Sequence, residues 1–255
     1  MLLPTLAFLG LVLGIGGFFF ITTRGSLLVY QHGRPSRIRH VYLIYRNPFL
    51  IWLLDRQFIS SVILLFQYHR LVKHVLAPAC ADRQGKRILQ VSCAFGDFSR
   101  KLAACYHKKG EVFIFDIMHN EVQHTHRKLA ADQTNADCRF FQGDAEAMPF
   151  QEGVFDHVVS FFLFHELPMV QKEKAFAECL RVVKPGGTFV YGEFHRPDSA
   201  LVGLLSRFYF WIFEPYAQEM WCWNPAATLD PHDWSIRRET LMDGYFQVVK
   251  LERLR

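Results

Sequence analysis

Two aspartates and one loop of small residues are spaced along the chain as a nucleoside-binding site requires. Asp116 and Asp144 each follow a short apolar run typical of a β-strand, and a third such run leads into the loop 90–97. In a parallel sheet these positions meet at the carboxyl edge, where ligands bind. Asp116 would accept hydrogen bonds from two ribose hydroxyls, Asp144 would meet an adenine amine, and the loop would offer backbone N–H groups. Either aspartate alone could instead cap a helix or stabilise a turn, but the three features together predict a nucleoside ligand.

Four further side chains could move protons during a reaction. His165 and Glu166 follow the fourth predicted strand, and Glu193 and His195 lie at the end of the fifth. Histidine and glutamate serve as general acids and bases, so we predict that catalysis uses residues of this set. The pattern equally allows a glutamate to cap a neighbouring helix and His165 to make an ordinary polar contact.

Strands must alternate with helices to bring these residues together. The apolar runs predict strands at 87–93, 111–118, 155–164 and 188–194, another within 138–150, and a last one at 245–254. Helices of about ten to fifteen residues between them imply right-handed βαβ units. The predicted fold class is therefore α/β, with a Rossmann-like, mostly parallel sheet covered by helices on both faces.

Composition excludes several other classes of protein. The chain has 255 residues, of which 51% are hydrophobic and 21% charged, so it can bury a large core and is not a disordered chain. Its six cysteines are scattered without a CxxC pair. We therefore expect neither a disulfide framework nor a zinc ribbon. We predict that the protein is in a reducing compartment.

Residues 1–23 contain no charged side chain and, as a helix, could cross the ~30 Å hydrocarbon core of a bilayer. They predict a transmembrane helix, with a secretory signal or a buried helix as alternatives. The arginines that follow would keep the rest of the chain on the cytoplasmic or matrix side. The predicted location is a bacterial cytoplasmic membrane or the mitochondrial inner membrane.

Basic residues are concentrated near the start of the chain. Residues 1–79 hold eight Lys or Arg and a single acid, Asp55, whereas the remainder holds 21 basic and 23 acidic residues. This asymmetry indicates an anionic partner for that end, and the adjoining apolar segment favours membrane lipid over nucleic acid. The aromatic segment 24–79 would lie on the membrane surface or cap a domain at 80–255, in which 198–235 would form a substrate lid.

Four sequence motifs carry a family resemblance: GDAEAMPF (143–150), FDHVVSFF (155–162), LRVVKPGG (180–187) and GEFHRP (192–197). With them, residues 87–195 resemble the S-adenosylmethionine-dependent methyltransferase fold and, within it, the ubiquinone/menaquinone C-methyltransferase family. The resemblance implies S-adenosylmethionine as cofactor, bound by Gln90, Ser92, Ala94, Gly96, Asp97, Asp116, Ile117, Asp144, Ala145 and Phe161. The loop departs from the family pattern: Gln90 replaces the usual acid, and Ser92 and Ala94 replace two glycines.

The loop QVSCAFGDFS and the apolar start of the chain together resemble the rhodoquinone biosynthesis family. That resemblance implies ubiquinone as substrate, S-adenosylmethionine as the amino donor that replaces a ring methoxy group, a divalent metal (manganese in particular), and association with other quinone-biosynthesis proteins. Two alternatives stay open. The chain could methylate a quinone precursor, or it could be a non-catalytic subunit of a quinone-synthesis complex.

Overall fold

A mixed sheet of seven strands occupies the centre of the structure, a computed structural model that describes residues 48–93, 96–132 and 138–255 together with Gly10, Gly14 and Gly17. The strand order is β3-β2-β1-β4-β5-β7-β6. Strands β1 to β5 pair in parallel, while β7 is antiparallel to both β5 and β6. The strands are β1 (Arg87–Val91), β2 (Glu111–Asp116), β3 (Cys138–Gln142), β4 (Phe155–Phe161), β5 (Val183–Phe194), β6 (Trp234–Leu241) and β7 (Phe246–Arg253). The predicted Rossmann-like, mostly parallel sheet is confirmed.

Helices connect the parallel strands and cover the sheet. Those of the described chain are α1 (Pro48–Leu54), α2 (Gln57–Ile63), α3 (Tyr68–Ala81), α4 (Phe98–Tyr106), α5 (His119–Ala131), α6 (Met169–Arg181) and α7 (Ala200–Phe213). Short 3₁₀ helices lie at Phe164–Glu166, Ala217–Trp221 and Pro225–Thr228. Because parallel crossovers are right-handed, α4 and α5 lie on the face opposite α6.

Part of the basic segment 24–79 belongs to the core of the domain. The side chains of Leu71, Val72 and Val75 on α3 are at most 1% exposed, and α3 packs against β4, β5 and α4. Helix α3 extends to Ala81, so it crosses the boundary expected near residue 80. Residues 24–47 lie outside the described residues.

The described helices contradict the predicted membrane localisation. None of them is long and apolar enough to span a bilayer. The longest, α3 and α7, have 14 residues each, whereas a span needs about 20. Residues 1–23, on which that prediction depended, lie outside the described residues except for three glycines.

Two cysteines are joined, contrary to the expectation of no disulfide. Cys80 on α3 and Cys105 on α4 form a disulfide with their Cα atoms 6.0 Å apart. The pair is 25 residues apart in sequence and has no recognisable spacing. It forms because α3 packs beside α4, a contact that the cysteine pattern does not reveal.

The 198–235 segment is anchored to the domain. Lys172 on α6 has a fully buried side chain whose Nζ donates to the Tyr216 carbonyl at 3.0 Å and to Glu219 at 2.6 Å. Met220 and Trp223 are buried in the core. Helix α7, by contrast, exposes a row of large apolar side chains on its outer face. These are Leu201, Leu204, Leu205, Phe208 and Trp211.

Candidate functional site

A cavity opens at the carboxyl edge of the sheet. Its wall is formed by the ends of β1 and β2, the start of α5, and the loops after β3 and β4. It brings together six residues that the sequence pointed to: Ser92, Asp116, Ile117, Asp144, Ala145 and Glu166. The topology therefore gathers the strand ends as the parallel-sheet rule requires.

Asp116 is held in a fixed orientation at the end of β2. Its Oδ2 accepts from the backbone N–H of Cys93 at 2.9 Å, and its Oδ1 accepts from that of Met118 at 2.8 Å. Burial raises the pKa of Asp116, although these hydrogen bonds oppose the shift. Asp116 also lines the cavity, where a carboxylate can accept from hydroxyl groups of a ligand.

The loop after β3 supplies a second ordered carboxylate. Asp144 Oδ1 accepts from the backbone N–H of Glu146 at 2.9 Å, which forms a local turn. Gly143 precedes it, and a Cβ at Gly143 would lie 2.6 Å from the Phe115 ring. The absence of a side chain there lets the loop approach the cavity closely.

Acidic side chains dominate the polar part of the cavity wall. Asp116, Glu121, Asp144, Glu146 and Glu166 all line it, and the described residues that line it include neither Lys nor Arg. A low-dielectric cleft lined by one sign of charge attracts ligands of the opposite sign. The cavity therefore suits a ligand that carries positive charge.

Gln90 braces the loop from behind rather than lining the cavity. Its side chain is 1% exposed, and its Nε2 donates to the Ser92 carbonyl and to Ser99 Oγ, both at 2.9 Å. Its Oε1 has no partner among the described residues. Ser92 has a φ of 71°, in the left-handed region that glycine adopts more readily. Ala94, another expected ligand-binding residue, lies outside the described residues.

The far end of the loop is held by Asp55, in the turn between α1 and α2. Asp55 Oδ1 accepts from the Gly96 N–H at 2.8 Å and from Lys128 Nζ at 2.7 Å, and its Oδ2 lies 3.0 Å from His124 Nε2. Lys128 also donates to the Gly96 carbonyl at 2.7 Å. Burial alone would raise the pKa of Asp55, but the His124 hydrogen bond and the Lys128 charge lower it overall. This network fixes the loop to the helices that precede β1.

Tyr68 on α3 completes the support of the loop. Its hydroxyl oxygen accepts from the Asp97 N–H at 2.7 Å. Gly96 has a φ of 90°, and a Cβ there would collide with the Tyr68 ring. Phe161 stacks on Phe98 with centroids 4.8 Å apart and meets Tyr68 edge-on, and it does not line the cavity. Gly96, Asp97 and Phe161 thus shape the loop from outside the cavity.

Two predicted proton-transfer residues form a buried pair behind the cavity. His165 Nδ1 lies 3.1 Å from Glu193 Oε2, and His165 Nε2 lies 3.8 Å from Glu214. Burial lowers the pKa of His165, but the charges of Glu193 and Glu214 outweigh it and raise the pKa to about 9. Glu193 also accepts from the backbone N–H of Phe164 at 2.6 Å. His165 therefore keeps its proton at neutral pH, and its contact with Glu193 joins β5 to the segment after β4.

The other two candidates occupy different surroundings. Glu166 lines the cavity, one residue beyond His165. His195 Nδ1 lies 2.8 Å from the Gly244 carbonyl, and His195 is not among the cavity residues. The structure therefore places Glu166 at the site and His195 at the junction of β5 with the turn before β7.

Sequence reasoning missed three charged residues of this region. Glu121 lines the cavity, and Asp55 and Lys128 hold the loop. Asp55 had a signal, because it is the single acid in the basic residues 1–79. Glu121 had a weaker one, its position five residues after Asp116 in the first turn of the following helix.

The manganese expected from the family resemblance has no matching donor set in the described residues. No three His, Cys, Asp or Glu side chains there are grouped so that they could hold a metal ion. We assign no residue to a metal.

A sheet of this order, with carboxylates after β2 and β3 and an acidic cavity, defines a class I S-adenosylmethionine-dependent methyltransferase fold. The residues present fit S-adenosylmethionine. Its sulfonium and ammonium groups match the acidic wall, and its ribose matches Asp116. The chain belongs to the ubiE/COQ5 methyltransferase family, whose model matches residues 57–225.

Individual relatives agree with this assignment. The ubiquinone/menaquinone biosynthesis C-methyltransferase UbiE of Azotobacter vinelandii is 31% identical over 152 residues, 60% of this chain and 59% of the relative. The chain thus matches about three fifths of that protein's length.

Solved structures show the same fold. A methyltransferase of Aquifex aeolicus has a TM-score of 0.51 at 18% identity, with 80% of this chain and 97% of that one covered. The N-methyltransferase NodS of Bradyrhizobium japonicum, solved with S-adenosylhomocysteine, has a TM-score of 0.53 at 14% sequence identity. The comparison covers 83% of this chain and 99% of NodS.

Proposed function

We propose that this chain uses S-adenosylmethionine to convert ubiquinone into rhodoquinone, with the donor's amino group replacing a ring methoxy group. The observation that carries this proposal is the contrast between the two ends of the donor site. The nucleoside end keeps Asp116 and Asp144, whereas the loop that faces the methionine end is rebuilt around Gln90 and Ser92. A change confined to that end alters which donor atom faces the acceptor, and geometry selects the reaction.

A lipophilic quinone acceptor is supported by two features. The relatives that match this chain are named as ubiquinone/menaquinone biosynthesis enzymes. The segment 198–235, which we predict to be a substrate lid, exposes the apolar row of α7 beside the sheet. Such a surface is suited to an isoprenoid tail.

The exchange balances as follows. A nitrogen–carbon bond forms at the ring carbon that carries the methoxy group, and the carbon–oxygen bond breaks, so that methanol leaves with one proton. The donor's own carbon–nitrogen bond is then cleaved. The donor carbon that carried the nitrogen is oxidised by two electrons and becomes a carbonyl whose oxygen comes from water. The quinone ring accepts those two electrons and becomes the aminated hydroquinone.

Glu166 is the residue we place nearest to the proton transfers, because it lines the cavity. It would accept the proton that the attacking nitrogen loses. His165 and Glu193 lie behind it in a buried pair and act as positioning residues for the segment that carries Glu166.

The test is expression of the full chain in a host that makes ubiquinone but no rhodoquinone, followed by mass spectrometry of the lipids. We expect a new quinone lighter than ubiquinone, because an amine weighs less than a methoxy group. The double variant Gln90→Asp with Ser92→Gly should still bind donor but lose this product. Glu173→Gln, at an exposed position on α6, is the matched control.

Other outcomes would contradict the proposal. A quinone precursor that gains mass would show methylation, the reaction for which the relatives are named. A folded chain that binds no S-adenosylmethionine would instead be a non-catalytic subunit. Normal rhodoquinone yield from the double variant would show that the loop does not select the reaction.

A further inference from the structure

Glu121 is a buried carboxyl of the cavity wall that the roles described so far leave unused. It stands in the first turn of α5, its residue is 2% exposed, and it lines the cavity with Asp116. No described residue hydrogen-bonds its Oε1. Two neighbouring acids do have polar partners. Asp116 accepts hydrogen bonds from two backbone N–H groups, and Glu146 lies 3.4 Å from Lys174 Nζ.

An unpartnered buried oxygen reduces stability, and native proteins rarely retain one without a reason. Here the oxygen belongs to a side chain that lines the cavity at the carboxyl edge of the sheet, together with Asp116. A hydrogen-bonding group of a bound ligand is therefore its natural partner.

The surroundings of Glu121 determine which form of the carboxyl is present. Burial raises the pKa of Glu121 well above its usual value, the charges of Asp116, Asp55 and Glu166 raise it further, and Lys128 partly opposes them. A protonated carboxyl donates one hydrogen bond and accepts another. A ribose hydroxyl can either donate or accept a hydrogen bond with such a carboxyl, and an adenine ring nitrogen can accept one from it.

We propose that Glu121 is a specificity-determining residue that hydrogen-bonds the nucleoside of S-adenosylmethionine beside Asp116. The contact is to the nucleoside because Glu121 lies on the helix that follows β2, on the Asp116 side of the cavity. The methionine end faces the loop 90–97 instead. This inference rests on the donor part of the proposed function and is independent of the acceptor.

The test compares the full-length chain with Glu121→Met and Glu121→Gln by calorimetric titration and thermal unfolding. The ligands are S-adenosylhomocysteine and 5′-methylthioadenosine, which share the nucleoside but not the amino acid part. Glu121→Met should weaken both ligands about tenfold, the effect of losing one good hydrogen bond. Glu121→Gln, which can still donate and accept, should stay within about threefold.

Although Glu121→Met should bind the ligands more weakly, its stability to thermal unfolding without ligand should increase. Glu121→Met removes an unpartnered buried oxygen and replaces it with an apolar side chain of similar length, so Tm should rise. A merely structural glutamate would give a lower Tm and unchanged affinity. Glu173→Met, at an exposed position, is the control, and Glu121→Leu is a second apolar variant for the case that Glu121→Met does not fold.

Three results would overturn the inference. Unchanged affinity in both apolar variants would remove Glu121 from the site. Weaker binding of S-adenosylhomocysteine alone would place the contact at the amino acid end. Equal losses in the Gln and Met variants would show that Glu121 does not act as the protonated donor and acceptor from which the nucleoside contact is inferred. If the unaltered chain binds neither ligand, the donor part of the proposed function fails as well.

Discussion

Replacement of Asp55 by asparagine tests whether the helices before β1 hold the donor loop. The asparagine keeps one oxygen that can accept from the Gly96 N–H, but it removes the charge that Lys128 and His124 face. We expect a looser loop, weaker binding of S-adenosylmethionine and a lower free energy of unfolding.

The structure sets the size of the stability effect. The side chains of Asp55 and Lys128 are each 13% exposed, so solvent screens their 2.7 Å contact only weakly. Hydrogen bonds to charged groups contribute about 1.5–3 kcal/mol, and breaking a buried pair costs up to about 5 kcal/mol. Because Lys128 keeps its bond to the Gly96 carbonyl, we expect a loss near the lower end, about 2 kcal/mol.

Urea unfolding at several pH values is the assay. The pKa of Asp55 is lowered in the folded state, so its contribution is present above the unfolded value near 3.8 and is lost as the pH falls through the lower folded value. The difference between the unaltered chain and Asp55→Asn should therefore shrink in acid.

Asp82→Asn is the matched control, since the Asp82 side chain is 69% exposed and its nearest cation is 3.8 Å away. It should change stability by less than about 0.5 kcal/mol. The reasoning is refuted if Asp55→Asn costs no more than this control at neutral pH, or if the Asp55→Asn difference does not decrease as the pH is lowered below 3.8.

Two more predictions concern buried groups. The pKa of His165 is raised to about 9 in the folded state, so the stability it contributes is complete below its unfolded value near 6.5 and is lost as the pH rises through 9. Urea unfolding between pH 6 and 10 should show a decline on the order of 3 kcal/mol that His165→Gln lacks, and an equal decline in both proteins would contradict this. Asp116→Ala removes the acceptor of two backbone N–H groups as well as the expected ribose contact, so it should lower unfolding free energy by about 2 kcal/mol and donor affinity at least about tenfold. Titration of the folded fraction separates the two effects, and unchanged affinity would exclude Asp116 from the site.

Residues whose position follows from topology could be predicted from the sequence. Asp116 ends β2 and Asp144 follows the adjacent parallel strand β3, and the strand-end rule alone brings them to one cavity. The rule does not say which way a side chain points. For this reason the sequence did not reveal that the Gln90 side chain supports the loop from inside the protein, or that His165 pairs with Glu193 in the interior. Strand β6 was missed because most of its residues are exposed and polar ones interrupt it.

Contacts between distant parts of the chain were beyond the sequence pattern. Asp55 lies 41 residues from Gly96, and Cys80 lies 25 from Cys105. No local periodicity encodes either pairing. The disulfide depends on how α3 packs on α4, and the Asp55 contact depends on how the turn between α1 and α2 lies against α5 and the loop. Asp55 was visible only as an unexpected acid in a basic segment.

The position of Asp55 bears on how a methyltransferase fold could acquire a different reaction. The family model begins at residue 57, so Gly96 and the loop lie within the matched range while Asp55 lies just before it. The loop is thus held at one end by Gln90, from within β1, and at the other by a residue outside the family match. Both supports act on the loop, which we propose to face the methionine end of the donor, whereas Asp116 and Asp144 are oriented by other hydrogen bonds. A change of reaction that leaves nucleoside binding intact would require this separation, because geometry at the reacting atoms can then change without loss of donor affinity.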